Sequence, residues 1–278
     1  MKLPSNFQFS QSSLQSYVNC PYQFYLRYIQ NLAWPALQTS DALEMETHLQ
    51  QGNRFHSLIH MYFLGLPQER LLEIVLADPL AEMPEWWDLF LGFARQTIKG
   101  TCLPEFSLQT EFASASLMAK FDLLNIQDDQ LNIYDWKTNF HPIKRSILQK
   151  TLQTRIYPFI LAKEYQSLNL GHTFSPDQIK MVYWQVNSPE APIVFDYSSD
   201  AYRANELYLE KLVSEILTFE AGDFLKTSDH RRCKFCNYRS LCDRGDLAGP
   251  LSEFDENQEA QGLEEFNIDL NSIDEIAF

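Results

Sequence analysis

Residues 121–139 read FDLLNIQDDQLNIYDWKTN, in which two apolar runs flank a polar four-residue turn. A turn of this length between two runs of strand-forming residues predicts a β-hairpin with a defined register. In that register Ile126 faces Leu131, and Asp122 faces Asp135. Side chains on one face of a sheet repeat every second residue, so both carboxylates are expected on the same face.

Two acids that face each other on neighbouring strands need an explanation. Their Cβ atoms lie about 4.5–5.5 Å apart, where like charges repel. A divalent cation bound between Asp122 and Asp135 would remove this repulsion. Lys137 lies two residues after Asp135 on the same face, where it could orient or help to deprotonate a metal-bound water. The alternative is that the acids mark exposed strand ends and that Lys137 pairs with one of them.

Beyond the hairpin, apolar residues recur at helical spacing in the first hundred residues and at strand spacing after them. Helices are predicted at 10–29, 41–64, 68–77, 85–99, 141–167 and 199–220. Strands are predicted at 106–112, 116–126, 131–137 and 179–186. Ser10 is the expected N-cap of the first helix, which should break at Cys20 because proline follows it. The order predicts a mixed α/β fold, a small sheet with flanking helices.

The net charge of −15 is concentrated at the carboxyl end. Residues 243–278 contain eleven acids and one base, which leaves a net charge of −5 for residues 1–242. Basic residues cluster at 144–155 and 231–239, so a basic groove for nucleic acid is compatible with this balance. No run of about 18 apolar residues and no leader-like start is found, so we expect a cytoplasmic protein without a membrane span.

Three of the five cysteines are crowded into ten residues, which favours metal binding over disulfides. Cys233, Cys236 and Cys242 are close enough in sequence for one turn to direct three thiols at one centre. Zinc and a [4Fe-4S] cluster both accept four thiolates, and spacing does not choose between them. Cys102 stands apart and is expected to be a buried small hydrophobe.

The residues around the hairpin resemble the motifs of the RecB-like PD-(D/E)XK nucleases. The resemblance extends from Ser10 to about Cys242. The first acid of the family corresponds to Asp122, and the (D/E)XK triplet corresponds to Asp135-Trp136-Lys137. The QxxxY motif corresponds to Gln153 and Tyr157. The upstream histidine, four residues after a glycine, corresponds to His56 after Gly52. The resemblance implies a restriction-endonuclease-like core in the order αβββαβ.

The resemblance also implies a role for each matched residue in metal-dependent hydrolysis of DNA. Mg²⁺ or Mn²⁺ would be held by Asp122, Asp135, His56 and the backbone carbonyl of Trp136. Lys137 would be catalytic. The side chains expected to support the site and the DNA backbone are Gln153 and Tyr157. The substrate would be single-stranded DNA or DNA ends, cleaved by an exonuclease or an endonuclease.

Several neighbouring residues complicate this assignment. His60 lies one helical turn after His56, and two histidines at that spacing can hold zinc instead. Lys120 stands two residues before Asp122, where the family usually has a small residue, often glycine. Glu105 and Glu111, in the strand before Asp122, are weaker candidates for the same site.

The cysteines extend the resemblance to iron-sulfur members of the family. Cys20 lies in Asn19-Cys20-Pro21, which is similar to their CP element, and would be the fourth ligand with Cys233, Cys236 and Cys242. This pattern looks like that of Cas4, of AddB and of the nuclease part of Dna2, which implies a [4Fe-4S] cluster, with Zn²⁺ as the alternative. A helicase, CRISPR or DNA-repair protein would be the partner.

Two other classes of function stay open. The chain could be a non-catalytic DNA-binding or scaffold module stabilised by an iron-sulfur cluster or zinc, or a zinc-stabilised adaptor that acts through its tail. We divide it into a helical region, 1–100, that contributes Cys20 and His56, a nuclease core with the cysteine segment, 101–242, and an acidic tail, 243–278. The tail is expected to be disordered. It could also dock on a partner or cover a basic groove as a DNA mimic.

Overall fold

The structure is a computed structural model that describes residues 3–4, 6–32, 40–165, 174–234 and 236–245. Its strands are β1 (Gln8–Ser10), β2 (Thr101–Phe112), β3 (Ala115–Gln127), β4 (Gln130–Lys137), β5 (Ile179–Gln185) and β6 (Ile193–Asp196). Its helices are α1 (Gln11–Asn19), α2 (Pro21–Phe24), α3 (Ser40–Phe63), α4 (Gln68–Ala77), α5 (Met83–Thr97), α6 (Arg145–Leu148), α7 (Gln153–Glu164), α8 (Ser199–Thr218) and α9 (His230–Cys233). A π-helical turn, Tyr25–Ile29, follows α2.

The hairpin of β3 and β4 has the predicted register, with Ile126 opposite Leu131 and Leu124 opposite Ile133. Successive residues of these strands enter two different cores. Leu124 and Ile133 are buried in the core that includes α7 and α8. Tyr134 is buried in a second core that includes α3, α4 and α5. The mixed α/β prediction is therefore confirmed, as a mixed sheet with helices on both faces.

The six strands described above belong to one sheet. Two of them, β1 and β4, separate from each other next to Asp122. β2 runs antiparallel along almost the whole of β3, so β1 and β4 share the opposite edge of β3. β1 pairs in parallel with residues 116–118, and β4 pairs from Leu123 onward. The two strands therefore separate over residues 119–122. β5 continues the sheet parallel to β4, and β6 pairs antiparallel with β5.

The first helix begins and ends as predicted. The Ser13 N–H donates to Ser10 Oγ at 3.1 Å, and the Ser10 N–H donates to Ser13 Oγ at 2.9 Å, which forms a capping box. Cys20 is extended, and Pro21 opens α2, where its missing N–H is tolerated. The cysteine therefore lies at a helix break.

The helix predicted at 141–167 is instead two helices, α6 and α7. Pro142 disfavours helical geometry at His141, which delays the first helix, and residues 149–152 form a turn before the second. β1 and β6 were missed because three or four residues do not establish a period.

No helix in the described ranges is long and apolar enough to cross a membrane. The acidic tail lies outside the described residues except for 243–245. The boundaries at 100 and 242 stay predictions, and β1 shows that the first region also contributes a strand to the sheet.

Candidate active site

A cleft of about 330 Å³ opens where β1 and β4 separate. It lies beside α3 and the beginning of α7. The structure brings all of the residues predicted for the metal and catalytic site to this cleft, namely His56, Asp122, Asp135, Trp136, Lys137, Gln153 and Tyr157.

Asp122 lies at the point where the hairpin ladder ends. Its Oδ2 accepts a hydrogen bond from the Trp136 N–H at 2.8 Å and is 3.5 Å from His56 Nδ1. Burial alone would raise the pKa of Asp122, but His56, the Trp136 N–H and Lys137 together hold that pKa below its usual value. The carboxylate is therefore ionised at neutral pH.

Asp135 is buried, with 5% of its surface exposed. Its Oδ1 is 2.9 Å from Lys137 Nζ, and its Oδ2 accepts a hydrogen bond from Gln153 Nε2. Gln153 Oε1 in turn accepts from Lys137 Nζ at 3.4 Å. Asp135 is thus not an exposed strand end, although the pairing with Lys137 that the alternative foresaw is present.

A close contact positions α3 and therefore His56. Gly52 lies one helical turn before His56, and a Cβ added there would stand 2.7 Å from Thr138 Oγ1. Glycine is what allows the helix to approach the segment after β4. On the other side of α3, Arg54 binds Asp78 through Nε at 2.7 Å and Nη2 at 3.2 Å. His60 is not among the residues that line the cleft, so the structure does not support a zinc pair with His56.

Tyr157 lies one turn after Gln153 on α7 and packs edge-on against Phe121, with ring centroids 5.2 Å apart. Tyr183, on β5 opposite Asp135, also belongs to this site. Its hydroxyl is 3.5 Å from Gln153 Oε1, and its ring lies 5.7 Å from Lys137 Nζ. Tyr183 was not predicted from the sequence, because its place opposite Asp135 depends on the parallel register of β4 and β5.

Glu105 lines the cleft, whereas Glu111 does not. The register of β2 and β3 on either side of Glu105 places it opposite Asp122. Its backbone is left-handed, with φ of 51°, a strained conformation for a residue other than glycine. Lys120 forms an ion pair with it. Three acids therefore lie near one another on three strands, and each contacts its own basic residue, namely His56, Lys137 or Lys120.

The donor chemistry of the cleft fits a hard divalent ion, because carboxylate oxygens lie beside an imidazole. In the part of the chain that the structure describes, however, no three His, Cys, Asp or Glu side chains already form a metal-binding group. This finding includes the four cysteines predicted as ligands. In the cleft, each acid is turned toward a different partner. Asp122 faces His56 and the Trp136 amide, while Asp135 faces Lys137 and Gln153.

The four predicted cysteine ligands, Cys20, Cys233, Cys236 and Cys242, line a second, smaller cavity. Its volume of about 20 Å³ is close to that of one water or one ion. Burial, with the other three thiols adding to it, raises the pKa of Cys236 to about 12. Four cationic side chains line the same cavity, those of Lys226, Arg232, Arg239 and Arg244. Cys102 lies elsewhere, half-buried beside Asn125.

A comparison with protein-family models matches residues 8–243 to the PD-(D/E)XK nuclease superfamily. Among solved structures, a candidate exonuclease from Eubacterium rectale is similar, with a TM-score of 0.50 and 12% identity over 90% of this chain and 92% of that one. The crystal structure of SSO0001 has a TM-score of 0.40 and 12% identity over 87% and 88%, too distant to support an argument. No curated protein matches the sequence. At these identities the structural likeness concerns the fold alone.

Proposed function

The chain belongs to the PD-(D/E)XK nuclease superfamily, whose model covers residues 8–243, and we propose that its cleft hydrolyses phosphodiester bonds of DNA. The observation that carries the proposal is the arrangement of Asp122, Asp135 and Lys137 at one fork of the sheet, with Gln153 bonded to both Asp135 and Lys137. Burying two acids beside a lysine costs desolvation energy, and a function at this cleft would account for that cost.

Each residue would contribute to the reaction in its own way. His56, Asp122, Asp135 and the Trp136 carbonyl would hold Mg²⁺ or Mn²⁺, which when bound polarises the phosphate and lowers the pKa of a water. Lys137 would orient the attacking water and neutralise charge on the phosphate. Gln153 and Tyr157 would hold the acid and the DNA backbone in place, since the Gln153 amide already bonds Asp135.

The substrate we propose is single-stranded DNA or a DNA end, taken by an exonuclease. Arg27 and Tyr28 line the cleft, and the guanidinium lies 5.2 Å from the ring centroid. His48 also lines it and stacks at 3.7 Å on Phe140, which is 41% exposed. Cations and aromatic rings at the cleft, with the exposed ring of Phe140 stacked beside it, fit an unpaired strand, whose phosphates bind cations and whose bases stack on aromatic side chains.

Matched acid substitutions test this function. We expect Asp135→Asn to abolish cleavage of labelled single-stranded DNA and to leave the fold intact, because asparagine has the shape of aspartate and its amide oxygen can still accept a hydrogen bond from Gln153 or Lys137. Asp196→Asn is the control, since Asp196 is 77% exposed on β6 and should not affect cleavage. Lys137→Ala should abolish cleavage yet keep Mn²⁺ binding. Cleavage by Asp135→Asn at the wild-type rate would refute the assignment.

For the cysteine cavity we propose a metal centre ligated by Cys20, Cys233, Cys236 and Cys242. Four thiolates and either Zn²⁺ or a [4Fe-4S]²⁺ core carry a net charge of −2, which the four surrounding cations would offset. The resemblance to Cas4 and AddB favours the cluster. Zinc is the alternative, because four thiolates suit a tetrahedral Zn²⁺ equally well.

Metal analysis of protein purified without oxygen distinguishes the two. About four irons per chain and a brown colour are expected for the cluster, and stoichiometric zinc without iron is expected for the alternative. Absence of both metals contradicts the site. We also propose a cytoplasmic location, because none of the five cysteines forms a disulfide in the structure. The resemblance alone supports a role in DNA repair or CRISPR adaptation with a helicase or another protein partner.

A further inference from the structure

A row of hydrogen bonds connects the cysteine cavity to the active-site cleft. Arg232, which lines the cavity next to Cys233, donates from Nη1 to Asn19 Oδ1 at 2.9 Å. Asn19 Oδ1 also accepts from Gln15 Nε2 at 3.1 Å. Gln15 Oε1 accepts from the Leu152 N–H at 2.9 Å. Gln153, the next residue, then bonds Asp135.

The middle of this row is buried, which makes its geometry costly to disturb. Gln15 is 4% exposed and Asn19 is 3% exposed. A buried amide that loses its partner costs about 1–3 kcal/mol, so each member holds the next. Both residues lie on α1, one helical turn apart, and both face inward although they are polar.

Gln15, on α1, supplies a hydrogen-bond acceptor at the beginning of α7. The first N–H groups of a helix have no partner within that helix and need one from outside. The N-cap of α7 is Leu152, and no side chain of the α7 terminus caps it. Gln15 therefore supplies the acceptor, and it does so at the amide directly before Gln153.

We infer that Gln15 and Asn19 are positioning residues that couple the cysteine cavity to the active site. The inference rests on the proposed function. Asn19 ties α1 to Arg232, and Gln15 ties α1 to the beginning of α7, which sets the position of Gln153 and through it the orientation of Asp135. Any rearrangement of the cysteine segment that moves Arg232 would reach Asp135 by this route.

Mn²⁺ binding measured without DNA tests the route at the cleft end. Gln15→Met keeps the side-chain length and removes both hydrogen bonds. We expect it to weaken Mn²⁺ binding on the order of tenfold, as is typical of residues that support metal ligands. Gln153→Met should weaken binding as well, and Gln15→Met should add nothing in that background. Equal effects of Gln15→Met in both backgrounds would show that it does not act through Gln153.

Asn19 supplies a conservative pair at the other end. Asn19→Asp keeps an acceptor for both Gln15 and Arg232 and should bind Mn²⁺ like the wild type, whereas Asn19→Leu should resemble Gln15→Met. Asn125→Leu is the control, because Asn125 is a fully buried amide bonded to the Lys99 and Thr101 carbonyls away from the cleft. It should lower stability without changing Mn²⁺ affinity.

A third variant applies if the buried substitutions do not fold. The Arg232 side chain is 39% exposed, so Arg232→Met leaves the core intact. Reduced Mn²⁺ affinity of this variant supports the coupling, and unchanged affinity overturns it. If the wild-type protein binds Mn²⁺ and Gln15→Met binds it with equal affinity, only this inference is refuted. Wild-type protein that neither binds Mn²⁺ nor cleaves DNA removes the proposed function and the inference with it.

Discussion

Gly52→Ala should weaken the active site without unfolding the protein. The added methyl group would stand 2.7 Å from Thr138 Oγ1, and the next atom is Thr138 Cβ at 3.9 Å, an ordinary contact. The clash therefore involves one oxygen. Thr138 is β-branched, and its χ1 is restricted, so relief by rotation is limited. Either the segment after β4 or α3 must shift by a few tenths of an ångström.

The Gly52→Ala substitution has two effects on the free energy of unfolding, and they have opposite signs. Overpacking costs about 1–3 kcal/mol, whereas replacing glycine by alanine inside a helix contributes about 1 kcal/mol. The free energy of unfolding should thus fall by about 0–2 kcal/mol. Cleavage should fall by about tenfold, because a shift of α3 moves His56 relative to Asp122, and catalytic geometry is sensitive to sub-ångström changes.

Thr138→Ala supplies the matched rescue, since it removes Oγ1 and leaves only the 3.9 Å contact. The double variant should recover the wild-type cleavage rate and exceed Gly52→Ala in stability in urea denaturation. Cleavage rates of the four proteins complete the cycle. Wild-type cleavage by Gly52→Ala, or no recovery in the double variant, would refute the close approach of α3 as the cause.

Two further predictions concern charges. Asp78→Asn should lower the free energy of unfolding by about 2 kcal/mol, because it removes charge-assisted hydrogen bonds to Arg54. Burial would raise the pKa of Asp78, but Arg54 and the Leu80 N–H hold it below its usual value. This stabilisation should be complete above pH of about 4 and lost as the pH falls through the lowered pKa, and a variant equal to wild type at pH 7 would contradict it. Lys120→Gln should reduce the salt dependence of single-stranded DNA binding by about 0.7 in log–log slope, whereas Glu105→Gln, which removes its ion pair with Lys120, should tighten binding at low salt. Anisotropy titrations without divalent metal measure both, and an unchanged slope would exclude Lys120 from the DNA contact.

The hairpin and the placement of Asp122 and Asp135 at one cleft were predictable, because a period of two and a short turn determine which residues face each other. Ile126 opposite Leu131 follows from those local rules. Other features depend on contacts between distant elements. The fork in the sheet arises because β1 joins β3, and three residues leave no pattern. Gln15 lies on α1, whose mostly polar sequence is typical of a solvent-exposed helix. Its side chain nevertheless accepts a hydrogen bond from the Leu152 N–H at the start of α7, 137 positions later.

Polar networks and close approaches between elements leave no periodic pattern in a sequence. They were therefore found only in the three-dimensional structure. The contact of Gly52 with Thr138 is one case, although the glycine one turn before His56 was a clue. The ion pair of Lys120 with Glu105 is another. It explains how a lysine is accommodated where the family usually has a small residue.

The central claim is that this cleft cleaves DNA with the help of a divalent metal. The most direct measurement is cleavage of end-labelled single-stranded DNA by the full chain, with Mg²⁺, with Mn²⁺ and with EDTA, next to Asp135→Asn purified in parallel. We predict labelled fragments with wild-type protein and either ion, and intact DNA in EDTA and with the variant. Intact DNA under all conditions, from wild-type protein shown to be folded and to retain the metal of its cysteine site, would contradict the account.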